Sequence, residues 1–96
     1  MTKADLISNI SNKTGLEKFE VQATVEAMMQ EIKASLINGD NVYLRGFGSF
    51  IVKTRAEKIG RNIKNNTALV IPAHNIPSFK PAKSFKQNVK IKSKTK

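Results

Sequence analysis

The chain has 96 residues, 40% of them hydrophobic. That is enough for one domain with a small core, since domains cluster at about 100–150 residues. Seventeen Lys and Arg against seven Asp and Glu leave a net charge of +10, an excess that favours polyanionic partners such as nucleic acid or an acidic membrane surface. With no cysteine and a single histidine, His74, the chain has no disulfide framework, thiolate nucleophile or cysteine-ligated zinc, and most metal and general-base designs fall away. Met1 to Asp5 lack the apolar h-region of a signal peptide, and apolar runs such as Ala68 to Ile71 are too short to cross a bilayer. Composition predicts a soluble, intracellular, basic binding protein, and no small-molecule substrate, cofactor or metal is expected. No membrane association is expected either, because the C-terminal segment offers mainly Phe85 and Val89 as apolar residues, too little for a membrane-surface helix.

In chain order, Thr2-Lys3-Ala4-Asp5 has the [ST]-x-x-[DE] pattern of a capping box. Leu6, Ile7 and Ile10 follow at helical spacing, and Gly15 supplies a stop. Val21, Val25, Met28, Met29, Ile32 and Leu36 make one stripe of a longer helix from about Lys18 to Asn38, with Gly39 at its end. The two helices predict a hairpin over residues 1–39, with both methionines as core fillers. At Asn41 the period changes to alternation. Val42 to Arg45 and Ser49 to Lys53 read as strands around a Gly46-Phe47-Gly48 turn, and Thr67 to Ile71 as another ended by Pro72. Asn65-Asn66 suits a tight turn, so about Arg55 to Ala73 reads as a two-stranded ribbon. Pro81, then Ala82, Phe85 and Val89, predicts a short helix over 81–90, and residues 91–96 read as a basic, disordered tail.

Charge divides with structure. Residues 1–40 carry four basic and six acidic residues, a net of −2, whereas residues 41–96 carry thirteen basic residues and one acid, Glu57, a net of +12. This predicts an assembly half followed by a polyanion-facing half. A monomer of this size has too little chain to cover Phe47, Phe50, Phe79 and the helical stripe together, so a dimer over those faces is expected.

Gly46-Phe47-Gly48-Ser49-Phe50, Arg55, Gly60-Arg61-Asn62, Phe79-Lys80-Pro81 and Lys83 together resemble the HU and integration host factor family of bacterial DNA-bending proteins, over about residues 1–90. The resemblance implies an α+β fold: an intertwined homodimer with a helical-hairpin base, a small antiparallel sheet and DNA-binding arm over 40–78, two extended β-ribbon arms and a C-terminal helix. A heterodimer with a related chain fits the same pattern. It implies Phe47, Phe50 and Phe79 at the dimer interface, and Arg55, Lys58 and Arg61 along a ribbon reaching into the minor groove of double-stranded DNA. Lys3, Lys80, Lys83 and Lys86 would meet phosphates at the body, and Arg45, Lys53, Asn62 and Lys64 complete the expected DNA-binding set. Where the family usually carries a tip proline that wedges between base pairs, this chain has Ile63. Isoleucine is among the side chains that can intercalate, and a residue folded back on its own ribbon is the alternative.

The function expected is architectural: a nucleoid-associated, cytoplasmic protein that bends and compacts DNA largely without sequence specificity. One alternative is an integration-host-factor-like protein with preferred sites, to which Arg45 before the Gly46-Phe47-Gly48 turn bears some likeness. Another is a small basic RNA-binding protein, although the strands show no evident pair of exposed aromatics for stacking bases. An enzyme is not expected, because no nucleophile and base are paired and most acids sit on helix surfaces.

Overall fold

The computed structural model describes residues 1–62 and 67–94. They form two helices, α1 (Lys3–Thr14) and α2 (Lys18–Ile37), then five strands, β1 (Val42–Leu44), β2 (Gly48–Arg55), β3 (Lys58–Asn62), β4 (Thr67–Ile71) and β5 (His74–Pro81), and a last helix, α3 (Lys83–Lys94). The chain divides into two compact units, residues 1–35 and 36–96.

In the first unit the capping box forms as its spacing requires. The Thr2 hydroxyl accepts from the Asp5 N–H at 3.2 Å, and the Asp5 carboxylate accepts from the Thr2 N–H at 2.9 Å. Two N–H groups that no helical carbonyl can reach are thereby satisfied. Gly15 ends α1 with φ 78°, donating its N–H to the Ser11 carbonyl at 2.9 Å. A side chain is disfavoured in that left-handed conformation, which is why glycine serves as the stop. The Lys3 ammonium then meets the Glu26 carboxylate at 2.8 Å, joining the first turn of α1 to α2. Ile7 and Val21 are the buried apolar side chains among the described residues. Met28 and Met29, expected as core, are 48% and 40% exposed in the single chain, so the stripe exists but one chain does not cover it.

The second unit is built on a three-stranded antiparallel sheet of order β1-β2-β5 and a separate two-stranded ribbon, β3-β4. β5 is a correction to the sequence reading, which ended the strands at Pro72 and placed no strand over 74–81. Its prolines, Pro77 and Pro81, signal loop to a sequence reader. An edge strand accepts proline because one row of its N–H groups needs no partner in the sheet. The ribbon is correspondingly shorter than expected, since Arg55 pairs with His74 inside the sheet. The last helix is also corrected: it begins at Lys83 and continues to Lys94, so residues 91–94 are helical where a disordered tail was expected.

One face of this sheet holds a cluster of phenylalanines. The Phe50 and Phe79 ring centroids lie 4.9 Å apart, Phe47 and Phe79 5.2 Å, and Phe47 stacks on Phe85 of α3 at 5.6 Å. The Ala82 N–H donates to the Phe47 carbonyl at 2.9 Å, which ties the start of α3 to the β1–β2 turn. Gly48 makes this packing possible. A Cβ there would lie 2.6 Å from the Lys80 carbonyl oxygen and 2.7 Å from the Phe79 ring. Gly48→Ala is therefore expected to destabilise by about 1–3 kcal/mol, the usual cost of overpacking. Urea denaturation at fixed protein concentration checks this, and an unchanged midpoint would show that the sheet has slack at this point.

Candidate nucleic-acid interface

Strand alternation and register assign every sheet residue to a face. Successive residues of a strand point to opposite sides, and cross-strand partners share a side. The pairings Tyr43–Ser49–Lys80, Ile51–Ser78, Lys53–Ile76 and Arg55–His74 fall together. This is the face opposite the phenylalanines, since Phe50 pairs with Phe79 in the alternate row. β2 thus sends Phe50 and Val52 to one side and Lys53 and Arg55 to the other.

Three groups of cations result. At the β1–β2 turn, Arg45 and Lys80 line an open groove of about 380 Å³ with the hydroxyl residues Tyr43 and Ser49. Further along the same face, Lys53, Arg55 and His74 are all exposed. On α3, Lys83, Lys86 and Lys90 line a second groove with Ser84 and Gln87. The first turn of α3 contains no acid, so Lys83 adds its charge to the positive end of the helix dipole. Cations beside hydroxyl donors suit phosphate oxygens, which are met by Lys and Arg and by Ser and Tyr alike. Among the described residues no group of His, Asp and Glu is arranged to hold a metal ion, and no helix is long and apolar enough to cross a membrane.

The residues expected from sequence are thus partly assembled. Arg45, Lys53, Arg55 and Lys80 belong to one sheet face or its bordering turn, and Lys83 and Lys86 to one helix. Lys58 opens the ribbon opposite Ile71, and the backbones of Arg61 and Asn62 close β3 against Ala68 and Thr67. Ile63 and Lys64 lie outside the described residues. Lys3 belongs to the first unit, where it engages Glu26. Sequence reasoning left Tyr43, Ser49 and Lys90 out of the site and Phe85 out of the ring cluster, and read His74 as a surface or phosphate contact near the end of the ribbon. For Ser49 the alternation with Lys53 and Arg55 was available, but placing Tyr43 on this face needs the register of β1, and placing His74 opposite Arg55 needs that of β5.

The match to known proteins runs through these same elements. The model of the family described as bacterial DNA-binding protein matches residues 1–90. The chain belongs to that family. It is 43% identical over 90 residues to the DNA-binding protein HU of Xylella fastidiosa, covering 94% of this chain and 96% of the relative. It is 40% identical over 92 residues to the SPbeta prophage-derived DNA-binding protein HU 2 of Bacillus subtilis, covering 96% and 100%. An Anabaena HU–DNA cocrystal structure superposes with a TM-score of 0.87 at 35% identity, covering 93% of this chain and 97% of the other. In this chain α3 continues four residues past the family match.

The Lys3–Glu26 pair makes one electrostatic property of the fold measurable. Hydrogen bonds from Lys3 and then from Gln22, at 3.3 Å, together with the attraction of the Lys3 charge, hold the Glu26 carboxyl below the usual carboxylate range. Both partners are largely exposed, so screening keeps the contribution small. Because the folded value lies below the unfolded one, the stabilisation is complete above the ordinary carboxylate range. It is lost as pH falls through the folded value. Glu26→Gln should therefore lower the melting temperature slightly at neutral pH and low salt, with the gap to wild type closing in acid. A gap that stays constant from neutrality to about pH 3 would show that the ion pair contributes nothing.

Proposed function

We propose that two copies of this chain assemble into a dimer whose cationic sheet faces and ribbon arms hold a DNA duplex and bend it, largely without reading its sequence. The observation that carries this is the division of the β1-β2-β5 sheet into an aromatic side and a cationic side. Membership of the bacterial DNA-binding family and the likeness to HU proteins support the same reading. It makes the chain an architectural nucleoid-associated protein of the cytoplasm, with no catalytic role assigned to any residue.

A second chain is called for by surface. The single chain exposes 8368 Å², whereas a folded monomer of its 10.7 kDa exposes about 5,500 Å² by the usual scaling. Much of the excess is apolar, including Met28, Met29, Phe47 at 46% and Phe79 at 38%. On this reading Phe47, Phe50 and Phe79, with Phe85, border the dimer interface. Sedimentation equilibrium at micromolar concentration should give twice the chain mass. A monomeric mass would remove the dimer and leave these side chains without a cover.

On the DNA side, Arg45, Lys53, Arg55, Lys58, Lys80, Lys83 and Lys86 are assigned to phosphates, with Lys3 in exchange with Glu26. Arg61, Asn62, Ile63 and Lys64 are assigned to the arm tip, and Ile63 to the wedge. Unstacking one base step costs on the order of a few kcal/mol, and smooth bending of a short site about 1–6 kcal/mol more. Counterions released by phosphate contacts can offset both, at a slope of about −0.9 in log K against log salt for each contact.

End-to-end energy transfer on a random duplex, titrated at several salt concentrations, tests bending and electrostatics together. Transfer should rise on saturable binding, and affinity should fall steeply with salt. Ile63→Ala should reduce the transfer change more than the affinity, and an undiminished bend in that variant would rule out the wedge. Saturable binding with no rise in transfer by wild type would leave a basic protein that coats DNA without bending it.

A further inference from the structure

His74 lies where the three-stranded sheet gives way to the ribbon, as the first residue of β5 and the partner of Arg55, the last residue of β2. Its Nδ1 is 2.9 Å from the Pro72 carbonyl oxygen. A carbonyl oxygen only accepts, so Nδ1 must carry the proton of that hydrogen bond. The neutral ring is thereby fixed in one tautomer, with Nε2 bare. Bare Nε2 is an acceptor and has nothing to offer a phosphate oxygen, which is also an acceptor. It becomes a donor only by taking up a proton.

We infer that His74 is a proton-linked phosphate contact at the root of the arm, so that DNA binding by this chain takes up protons and strengthens as pH falls. This rests on the DNA-binding reading and adds a specific atom, Nε2 of His74, to it. The cations that share its sheet face are Arg55 directly across and Lys53 one row further on; Lys58 opens the ribbon, and Lys80 lies next to last in β5 on the same face. Glu57, the one acid of residues 41–96, sits in the connector between β2 and β3. A duplex laid on the face brings phosphates that attract an imidazolium and give an Nε2–H an acceptor. The same phosphate that needs a donor therefore makes the donor. Histidine as a residue type changes charge in the range of about pH 5–8, which sets the range of the test. The Thr54 hydroxyl donates to the Asn75 side-chain oxygen at 2.8 Å on the opposite face, which fixes the strand ends that carry Arg55 and His74.

The test is calorimetry of a random duplex of about 35 base pairs in two buffers of different ionisation enthalpy, with affinities taken at about pH 6 and pH 8 and constant ionic strength. Wild type, His74→Gln, His74→Lys and Glu57→Gln are compared. Wild type should take up protons, at most about half of one per chain, and lose about tenfold in affinity per His74 contact across this range, the scale of one charge-assisted hydrogen bond. His74→Gln should lack that uptake and bind at pH 6 as wild type does at pH 8. His74→Lys, which carries a fixed charge, should bind tightly with no such dependence. Glu57→Gln should leave the uptake in place. Equal uptake by wild type and His74→Gln would overturn the inference, as would uptake lost in Glu57→Gln alone. Duplex binding that is intact at both pH values but independent of pH would overturn this inference alone. Absence of binding by wild type at every pH would overturn the DNA-binding reading and this inference with it.

Discussion

Phe50 and Phe79 meet across β2 and β5 at 4.9 Å, and that contact decides which side of the sheet looks inward. Once those rings are fixed, the two-residue period of β2 forces Ser49, Ile51, Lys53 and Arg55 to the other side. A slip of one residue would exchange the faces, putting the cations among the rings and the rings in solvent. The register is held by more than apolar packing. The Asn41 side-chain oxygen accepts from the Val52 N–H at 2.9 Å, and Thr54 pairs with Asn75. Gly48 sits at the other end, pressed against Phe79 and the Lys80 backbone. The cationic surface is thus a consequence of a packing choice on the reverse of the same strand.

How much of this was legible in the sequence follows from how local each signal is. The capping box at Thr2 and Asp5, the stop at Gly15 and the strand at Thr67–Ile71 depend on neighbours within a few residues, and they formed where the pattern put them. β5 depends on partners 19 to 33 residues away, and its prolines counted against it until an edge position in the sheet made them harmless. The full length of α3 was missed for a related reason. Lysines at 92 and 94 read as a charged tail, although lysine is a good helix former and the helix has only to continue. At the site, the basic residue types were visible, but their sorting into faces required the β2–β5 register. Met28 and Met29 show a different limit. Their spacing marks an apolar stripe correctly, and only the fold shows that one chain leaves it uncovered.

The charge asymmetry has a structural counterpart in where acids are placed. Glu26 engages Lys3 within the first unit, and the only acid of residues 41–96 is Glu57, in the connector between sheet and ribbon. The strands and α3 therefore contain no carboxylate to compete with phosphate for their lysines and arginines. Such a surface repels itself when free, a cost that an aromatic cluster on the reverse face helps to offset. A counter-charge on the cationic face relieves the same repulsion, which is why stability and polyanion affinity are coupled in this unit.

The ribbon adds a contribution of another kind. A two-stranded ribbon alone is marginal in water, and this one exposes Ile59, Leu69, Val70 and Ile71. Register places Ile59 beside Val70 on one face and Ile71 beside Lys58 on the other, so neither face is wholly polar. Covering these side chains removes apolar surface from water at about 25 cal/mol per Å², and salt does not screen that gain. On the proposed reading, affinity then has two parts, a salt-sensitive part from the cationic face and a salt-resistant part from the arms. Arg55 and His74 stand where the two parts join, so a proton gained at His74 acts on the electrostatic part at the point from which the arm departs.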